Sequence, residues 1–509
     1  MVNKIILLKI FLFLFLALFL ISCNDKPKQN QEGKTKTIEE TPEEITPVQD
    51  KYYTVNFIAS SGGYISGGKT QEIKEGENTK TVKAIGFDGY HFVSWSDGDR
   101  SEKKTIENVL EDITIEAQFL PDSDKYPNIY IDTYGLEIVS KEEYIRCNID
   151  INDPDYPFND RSDVKAQIRG RGNSTWDKPK KPFKLKFDNK IDLFGFGKAK
   201  EWVLLANYVD PGMIRNYLAF NIAKRFDSIS DTTSPVRFAN VYLNNEYYGL
   251  YLVCEQVEVD PERINIDTSI GGDISFLVCL DSRAKEEGKR KDIDYFTLRN
   301  HDYVIKSPNT EKALYDSSYT IKVKDYLTNC FNLLRNNNYE DILANFDVET
   351  FADTYIINEL FSNVDVYFAS WYLYKDKGGK ICSGPIWDFD ISAGNCDYND
   401  SCKSNSTYYA LNNLWYRYLM NYSEFKDLVR NKVLKYYNII NHEINVCISD
   451  ALFHQDEFLR NYEVWRTLGR YVWPNPKELV AINTWIEHVK YVSSWLDKKL
   501  EFMMNGYTK

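Results

Sequence analysis

Apolar and polar positions divide the chain into stretches of unlike character. Residues 5–21 form an almost unbroken apolar run that ends at Leu20, Ile21, Ser22 and Cys23. Residues 24–50 carry almost no large apolar side chains, so they bury too little surface to offset chain entropy and are predicted to be a flexible tether, with Cys23 and Lys51 at its ends (23–51). Residues 52–120 alternate with a period of two in TVNFIA, TVKAIG, HFVSW and ITIEAQF, broken by Gly62-Gly63, Gly67-Gly68, Gly86 and Asp97-Gly98. The pattern predicts one small all-β module, with Phe92 and Trp95 in its core. Residues 126–509 are predicted to be one large α+β region. Its first half is strand-rich, from VKAQIRG and PFKLKF through EWVLLAN, FANVYLN and YYGLYLV to ISFLVCL, whereas helical periodicity dominates beyond about Asp325. Two lobes of unlike composition predict a cleft between them, where ligands commonly bind.

The first run is close to the roughly 20 residues that a membrane helix needs. Lys4 and Lys9 near its start and a small residue directly before Cys23 instead predict a lipoprotein signal peptide, residues 1–22, with Cys23 acylated after cleavage. Several acyl chains together anchor stably where one binds only weakly. The expected location is therefore the cell envelope, on the exported side of a membrane. A net charge of −13 and a pI near 5.1, without a basic stripe, exclude nucleic acid as the expected partner and leave protein or a small molecule. Of the nine cysteines only Cys396 and Cys402 sit close together in a loop-like stretch, where an exported protein allows a disulfide. The five histidines are scattered, and no CxxC occurs, so a zinc site is not expected.

Candidate chemistry begins in the stretch AQIRGRGNSTW, residues 166–176, read as strand and glycine-containing loop, followed by KKPFKLKF, residues 180–187. Gly170 and Gly172 allow close approach of backbone to a ligand, and successive loop amides with Arg171 suit phosphate; an ordinary glycine-rich hairpin is the plain alternative. In PFKLKF, Phe183, Leu185 and Phe187 share one face while Lys184 and Lys186 share the other, so a cation reaches ligand while its strand stays packed. Lys181, Lys184 and Lys186 are all candidates to serve a nucleotide. Glu255 ends the apolar run YYGLYLVCE and is a candidate to orient such a lysine or bind metal, unless it is simply solvated. Residues 348–362 form an amphipathic helix capped by Asp347, after which comes Asp365. A hairpin follows, from Trp371–Tyr374 through Gly378-Gly379 to residues 380–383, and leads to Asp388 and Asp390. Antiparallel pairing returns the chain to its start, which brings Asp365 and Asp388 together. Phosphoryl transfer uses such a pair, one carboxylate for the acceptor hydroxyl and another for the metal on the phosphates.

The motifs RGRGNSTW, KKPFKLKF, EWVLLANYVDPGMIRN, NVYLNNEYYGLYLVCEQV, NELFSNVDVY and GPIWDFDISAGN, in this order, resemble the CotH family of atypical protein kinases over roughly residues 126–400. The resemblance implies a kinase-like fold, ATP and Mg2+ as cofactors, and transfer of phosphate to Ser or Thr of a protein substrate. It makes Asp365 the catalytic aspartate and Asp388 the magnesium ligand, with Asp390 and Asn395 as helpers and Arg215 and Asn216 as a structural or phosphate-facing pair. Ser370 departs from the protein-kinase pattern, which places an asparagine there for a second metal. GYHFVSWSDGDR with its terminal ITIEAQF strand resembles bacterial surface modules of the InlB B-repeat type. The expected function is an exported, lipid-anchored protein kinase. The alternative is a non-catalytic surface adhesion or envelope protein built on the same fold.

Overall fold

The computed structural model describes residues 51–509, apart from positions 61, 88, 100, 122–124, 155, 157, 158, 312–314, 337 and 509. The signal segment, Cys23 and the tether up to residue 50 lie outside the described residues. Among the described residues no helix is long and apolar enough to cross a membrane.

The module uses β1 (Tyr52–Ala59), β2 (Gly63–Ser66), β3 (Thr70–Lys74), β4 (Val82–Gly86), β5 (Tyr90–Trp95), β6 (Lys103–Lys104) and β7 (Ile113–Pro121). They form two sheets, ordered β3-β1-β7-β5 and β2-β4-β6. The period-two pattern sends Val55, Phe57, Ile115 and Ala117 into one core with Trp95. Trp95 is fully buried and its indole N–H donates to the Ser101 carbonyl at 2.8 Å, so this ring is core rather than ligand platform.

Next comes a closed barrel of β8 (Asn128–Asp132), β9 (Ile145–Asn152), β10 (Arg161–Gly170), β11 (Phe183–Asp192), β12 (Lys198–Leu205), β13 (Val236–Leu243) and β14 (Glu246–Glu255). Helix α1 (Arg215–Ala223) lies between β12 and β13 in the chain. A parallel pair, β8 with β13, helps close the barrel, and closure leaves no exposed edge for another chain to pair with. Phe183, Leu185 and Phe187 fill its interior with Trp202, Tyr251 and Val253, while Lys184 and Lys186 stand outside.

Residues 256–275 then lead to a second sheet of β15 (Phe276–Asp281), β16 (Tyr295–Leu298), β17 (His301–Ser307), β18 (Ala369–Lys375) and β19 (Cys382–Ser383), ordered β16-β17-β15-β18-β19. The FLVCL strand, grouped by composition with the barrel strands, therefore belongs to the other lobe. Helices α2 (Ser317–Leu333), α3 (Tyr339–Asn345), α4 (Val348–Leu360), α5 (Asp400–Lys403), α6 (Leu414–Leu419), α7 (Ser423–Phe453), α8 (Gln455–Trp465), α9 (Lys477–Val480) and α10 (Trp485–Thr508) complete this lobe. Its core joins Phe351, Ile356, Trp371, Trp415, Tyr436 and Trp485. The module packs on α7: Ser94 Oγ and the His442 ring Nδ1 are 3.3 Å apart, and Arg225 lies between Glu116 of the module and Glu443 of α7.

Candidate active site

Local rules explain how the carboxylates are aimed. Asp347 caps α4 by accepting from the Thr350 N–H at 3.2 Å, and Asn363 caps the short 3-10 turn Val364–Tyr367 by accepting from the Asp365 N–H at 3.1 Å. Strand β18 leaves from that turn and pairs with β19 through Leu373 with Ser383 and Tyr374 with Cys382. The return strand is shorter than the sequence suggests because Ile381 is drawn to α3, where its N–H donates to the Asn345 carbonyl at 2.9 Å. The chain comes back at Asp388, whose φ of 66° lies in the left-handed region, and Ser370 Oγ donates to Asp388 Oδ2 at 3.1 Å. The position that would hold a second-metal asparagine thus orients the metal-ligand candidate.

Asp365, Asp388 and Asp390 line one cavity of about 210 Å³, together with Arg171, Asp281, Arg283 and Lys306. None of the three aspartates forms an ion pair among the described residues. Asp365 keeps some contact with solvent at the cavity, yet it lies deep enough that lost hydration, and then the Asp388 charge, push its carboxyl up to about 7, with Arg283 opposing. Asp390 is almost fully buried and is held well above the usual carboxylate range by burial and by the charges of Asp388 and Asp210. Unpaired, mutually repelling carboxylates facing a cavity suit a cation. Among the described residues no three metal-ligating side chains are gathered closely enough to cage one alone. Magnesium is usually held through one or two carboxylates, with water and substrate phosphates as its other ligands, and Asp388 and Asp390 fit that donor set.

Arg215, Asn216 and Asn395 resolve as structural groups. The Arg215 guanidinium pairs with buried Asp210 and donates to the Ser392 and Ala393 carbonyls at 2.8 and 3.2 Å. Asn216 Oδ1 accepts from the Phe389 N–H at 2.7 Å, and Asn395 Nδ2 donates to the Val209 and Asp390 carbonyls at 2.9 and 2.8 Å. Together they clamp both flanks of the loop that bears Asp388 and Asp390.

The cationic candidates separate. Arg171 lines the cavity, 5.6 Å over the Trp387 ring. Lys184 lines two adjoining chambers, of about 450 and 520 Å³, and its ammonium lies 2.5 Å from Glu201, which also stands 3.6 Å from Lys186. Lys181 turns away, donating to the Trp176 carbonyl at 2.6 Å, and does not line these chambers. Glu255 does not meet the lysines either: it sits opposite Trp202 in the ladder and pairs with Arg263. The lysine partner is Glu201, because β11 and β12 set Lys186 opposite it and Lys184 diagonal to it. Gly172, at φ 83°, lines the cavity, whereas Gly170 makes room for the Trp176 ring, which a Cβ there would meet at 2.1 Å. Sequence reasoning missed Asp281, Arg283 and Lys306. Asp281 carries the same signal as Glu255, a carboxylate ending a buried strand, and β15 sets it opposite Ala369, near the acid turn. Among the described residues the cysteines are free thiols; Cys396 and Cys402 point at one acceptor, the Asn399 carbonyl, at 4.0 and 2.9 Å.

Residues 168–503 match the family of the CotH kinase protein, and residues 53–123 match the divergent InlB B-repeat domain. Among solved structures, the crystal structure of a Helicobacter pylori proinflammatory kinase, CtkA, is similar at 10% identity and a TM-score of 0.26, over 74% of this chain and 98% of that one. No curated protein matches the chain. The barrel strands β8 and β9 lie before the matched span, so the lobe that completes the cleft begins earlier in the chain than the family match does.

Proposed function

Because the chain belongs to the CotH kinase protein family, we propose that it is an exported, lipid-anchored protein kinase that moves the γ-phosphoryl group of ATP to Ser or Thr hydroxyls of envelope or secreted proteins. The observation that carries this reading is the meeting of Asp365, Asp388 and Asp390, without ion-pair partners, in a cavity whose other wall brings Arg171 and Lys306. Asp365 takes the proton as the acceptor oxygen bonds to the γ-phosphorus and the bridging bond to ADP breaks. Its raised proton affinity suits a general base working near neutrality. Asp388 and Asp390 would hold magnesium, which when bound neutralises charge on the phosphates. Arg171, Lys184 and Lys306 line the connected chambers as phosphate partners, and Val257, Val259 and Ile305 offer an apolar wall for the base. Glu201 pairs with Lys184 where both line the larger chamber.

The test is incubation of purified protein with magnesium and γ-labelled ATP, with and without a serine-rich acceptor protein. Label on the protein or the acceptor is the expected outcome. Failure to bind magnesium nucleotide at all would replace this reading by the non-catalytic envelope role. Anchoring has its own test: fatty-acid label on the exported protein should vanish in Cys23→Ser, and a variant that stays labelled refutes the lipid anchor.

A further inference from the structure

The two ends of the catalytic cavity are unlike. Toward residues 256–275 it runs into the two further chambers, with which it shares Gln256 and Lys306, and which supply the cations and apolar wall suited to a nucleotide. The opposite end, formed by Ser174, Thr175, Val209, Ile391 and Trp473, is shared with neither. There Trp473 and Tyr398 stack, with 5.8 Å between ring centroids and 11° between planes. Both rings stay open to solvent, 43% exposed for Trp473 and 52% for Tyr398.

Folding alone does not account for this pair, since most of the large aromatic side chains of this lobe, among them Trp415, Tyr436 and Trp485, are buried in its core. The stack is also held in place. Lys178, from the glycine-containing loop, lies 5.4 Å over the Trp473 ring and donates to the Trp473 carbonyl at 3.4 Å. Asp397, next to Tyr398 in the chain, accepts from the hydroxyl of Tyr471, two residues before Trp473, at 2.7 Å. Lys178 keeps its charge beside the stack, since a carbonyl does not neutralise an ammonium, but the two rings themselves offer a partner a flat and apolar surface. Rigid, solvent-open aromatic rings beside a functional cleft have the character of interface anchors, which give contact area at little entropic cost.

Resting on the kinase reading above, we propose that the Tyr398–Trp473 stack is the docking platform for the acceptor polypeptide, and that it selects an aromatic or aliphatic side chain next to the Ser or Thr presented to Asp365. Nucleotide enters from the chambers at one end of the cavity and acceptor from the platform at the other, and the two meet at Asp365 and Asp388.

The experiment measures binding separately from catalysis. Fluorescein-labelled serine peptides that differ only in one residue beside the serine, Phe, Leu, Ala or Asp, are titrated with the full chain and read by fluorescence anisotropy. Magnesium with a non-hydrolysable ATP analogue is titrated in parallel. Wild type should bind the Phe and Leu peptides about tenfold more tightly than the Ala peptide. Trp473→Ala and Tyr398→Ala should each reduce that preference to about twofold or less, with the loss falling on peptide rather than nucleotide. Trp473→Phe should restore most of it, which separates stacking from a folding defect. A preference that survives both alanine variants, or a wild type without one, overturns the platform. A loss confined to the nucleotide analogue assigns the stack to the base and overturns it too. Wild type that selects peptides but binds no nucleotide would sink the kinase reading and leave the docking platform standing.

Discussion

Glu359, on α4, and Asp365, in the turn just beyond it, are two acids of one lobe put to opposite uses. Glu359 is fully buried and completely satisfied: the Lys499 ammonium lies 2.5 Å away, and the Tyr409 and Ala410 N–H groups donate at 3.0 and 2.7 Å. Asp365 has no such partners, faces two further aspartates, and is left with a raised proton affinity. The first arrangement fixes α10 to α4 behind the site. The second stores negative charge where a ligand can use it, as expected where perturbed carboxylates gather in a cleft. The difference separates structure from chemistry better than burial does, since both are withdrawn from bulk water.

The largest expected effect tests the satisfied side. Glu359→Ala leaves the Lys499 ammonium buried without its counter-charge, and breaking such a pair costs roughly 3–5 kcal/mol. Denaturant unfolding should show that loss, and a change below about 1 kcal/mol would remove the contrast with Asp365.

On the unpaired side the effect should fall on chemistry. Asp365→Asn should keep nucleotide binding and lower transfer by about 10²-fold or more, the scale of a lost acid-base group. Asp388→Asn should weaken magnesium-dependent nucleotide binding as well as transfer. Both proteins should unfold no earlier than wild type, because each substitution removes like-charge repulsion. Calorimetric titration with magnesium ATP separates the two variants, and an Asp388→Asn protein that binds as well as wild type would end its assignment as metal ligand.

What the sequence displays and what it hides follow the same division between local and distant causes. The meeting of Asp365 and Asp388 is legible because a cap, a turn and a hairpin, all local, aim both. The outward lysines are legible because a strand alternates. Glu201 as the partner of Lys184 is not, since it depends on register between β11 and β12, and a slip of one residue would turn it to the barrel interior. Likewise Asp281 and Lys306 enter the cavity from β15 and β17, which are placed by the pairing of β15 with β18 across a long stretch of chain and of β17 with β15. Trp473, far toward the C-terminus, carries no local mark that it will border the site.

Gly170 sharpens the same distinction within one motif. Of the two glycines only Gly172 lines the cavity, whereas Gly170, the last residue of β10, lies against Trp176. Gly170→Ala should therefore act as overpacking, destabilising by about 1–3 kcal/mol with nucleotide affinity kept in the folded fraction. Thermal unfolding followed by nucleotide titration checks it, and loss of nucleotide affinity in a fully stable protein would return Gly170 to the ligand.

The smallest effect belongs to the contact between the β module and α7. Arg225 lies 2.8 Å from Glu443, which is almost wholly buried, and 3.2 Å from Glu116 of the module, which is partly open to water. Removing Glu116 leaves the guanidinium with its better-buried partner, so no uncompensated charge results. Exposed pairs of this kind are worth about 0.2–1 kcal/mol. Glu116→Ala should accordingly move the unfolding midpoint slightly. It should not touch nucleotide binding, because no described module residue lines the aspartate-bearing cavity or the two chambers that adjoin it. The contrast with Glu359 is then one of replacement: there the buried cation has no second carboxylate among the described residues to turn to. If Glu116→Ala costs as much as Glu359→Ala, the module is part of the lobe's core rather than a partner docked on it, and the boundary near residue 120 loses its physical basis.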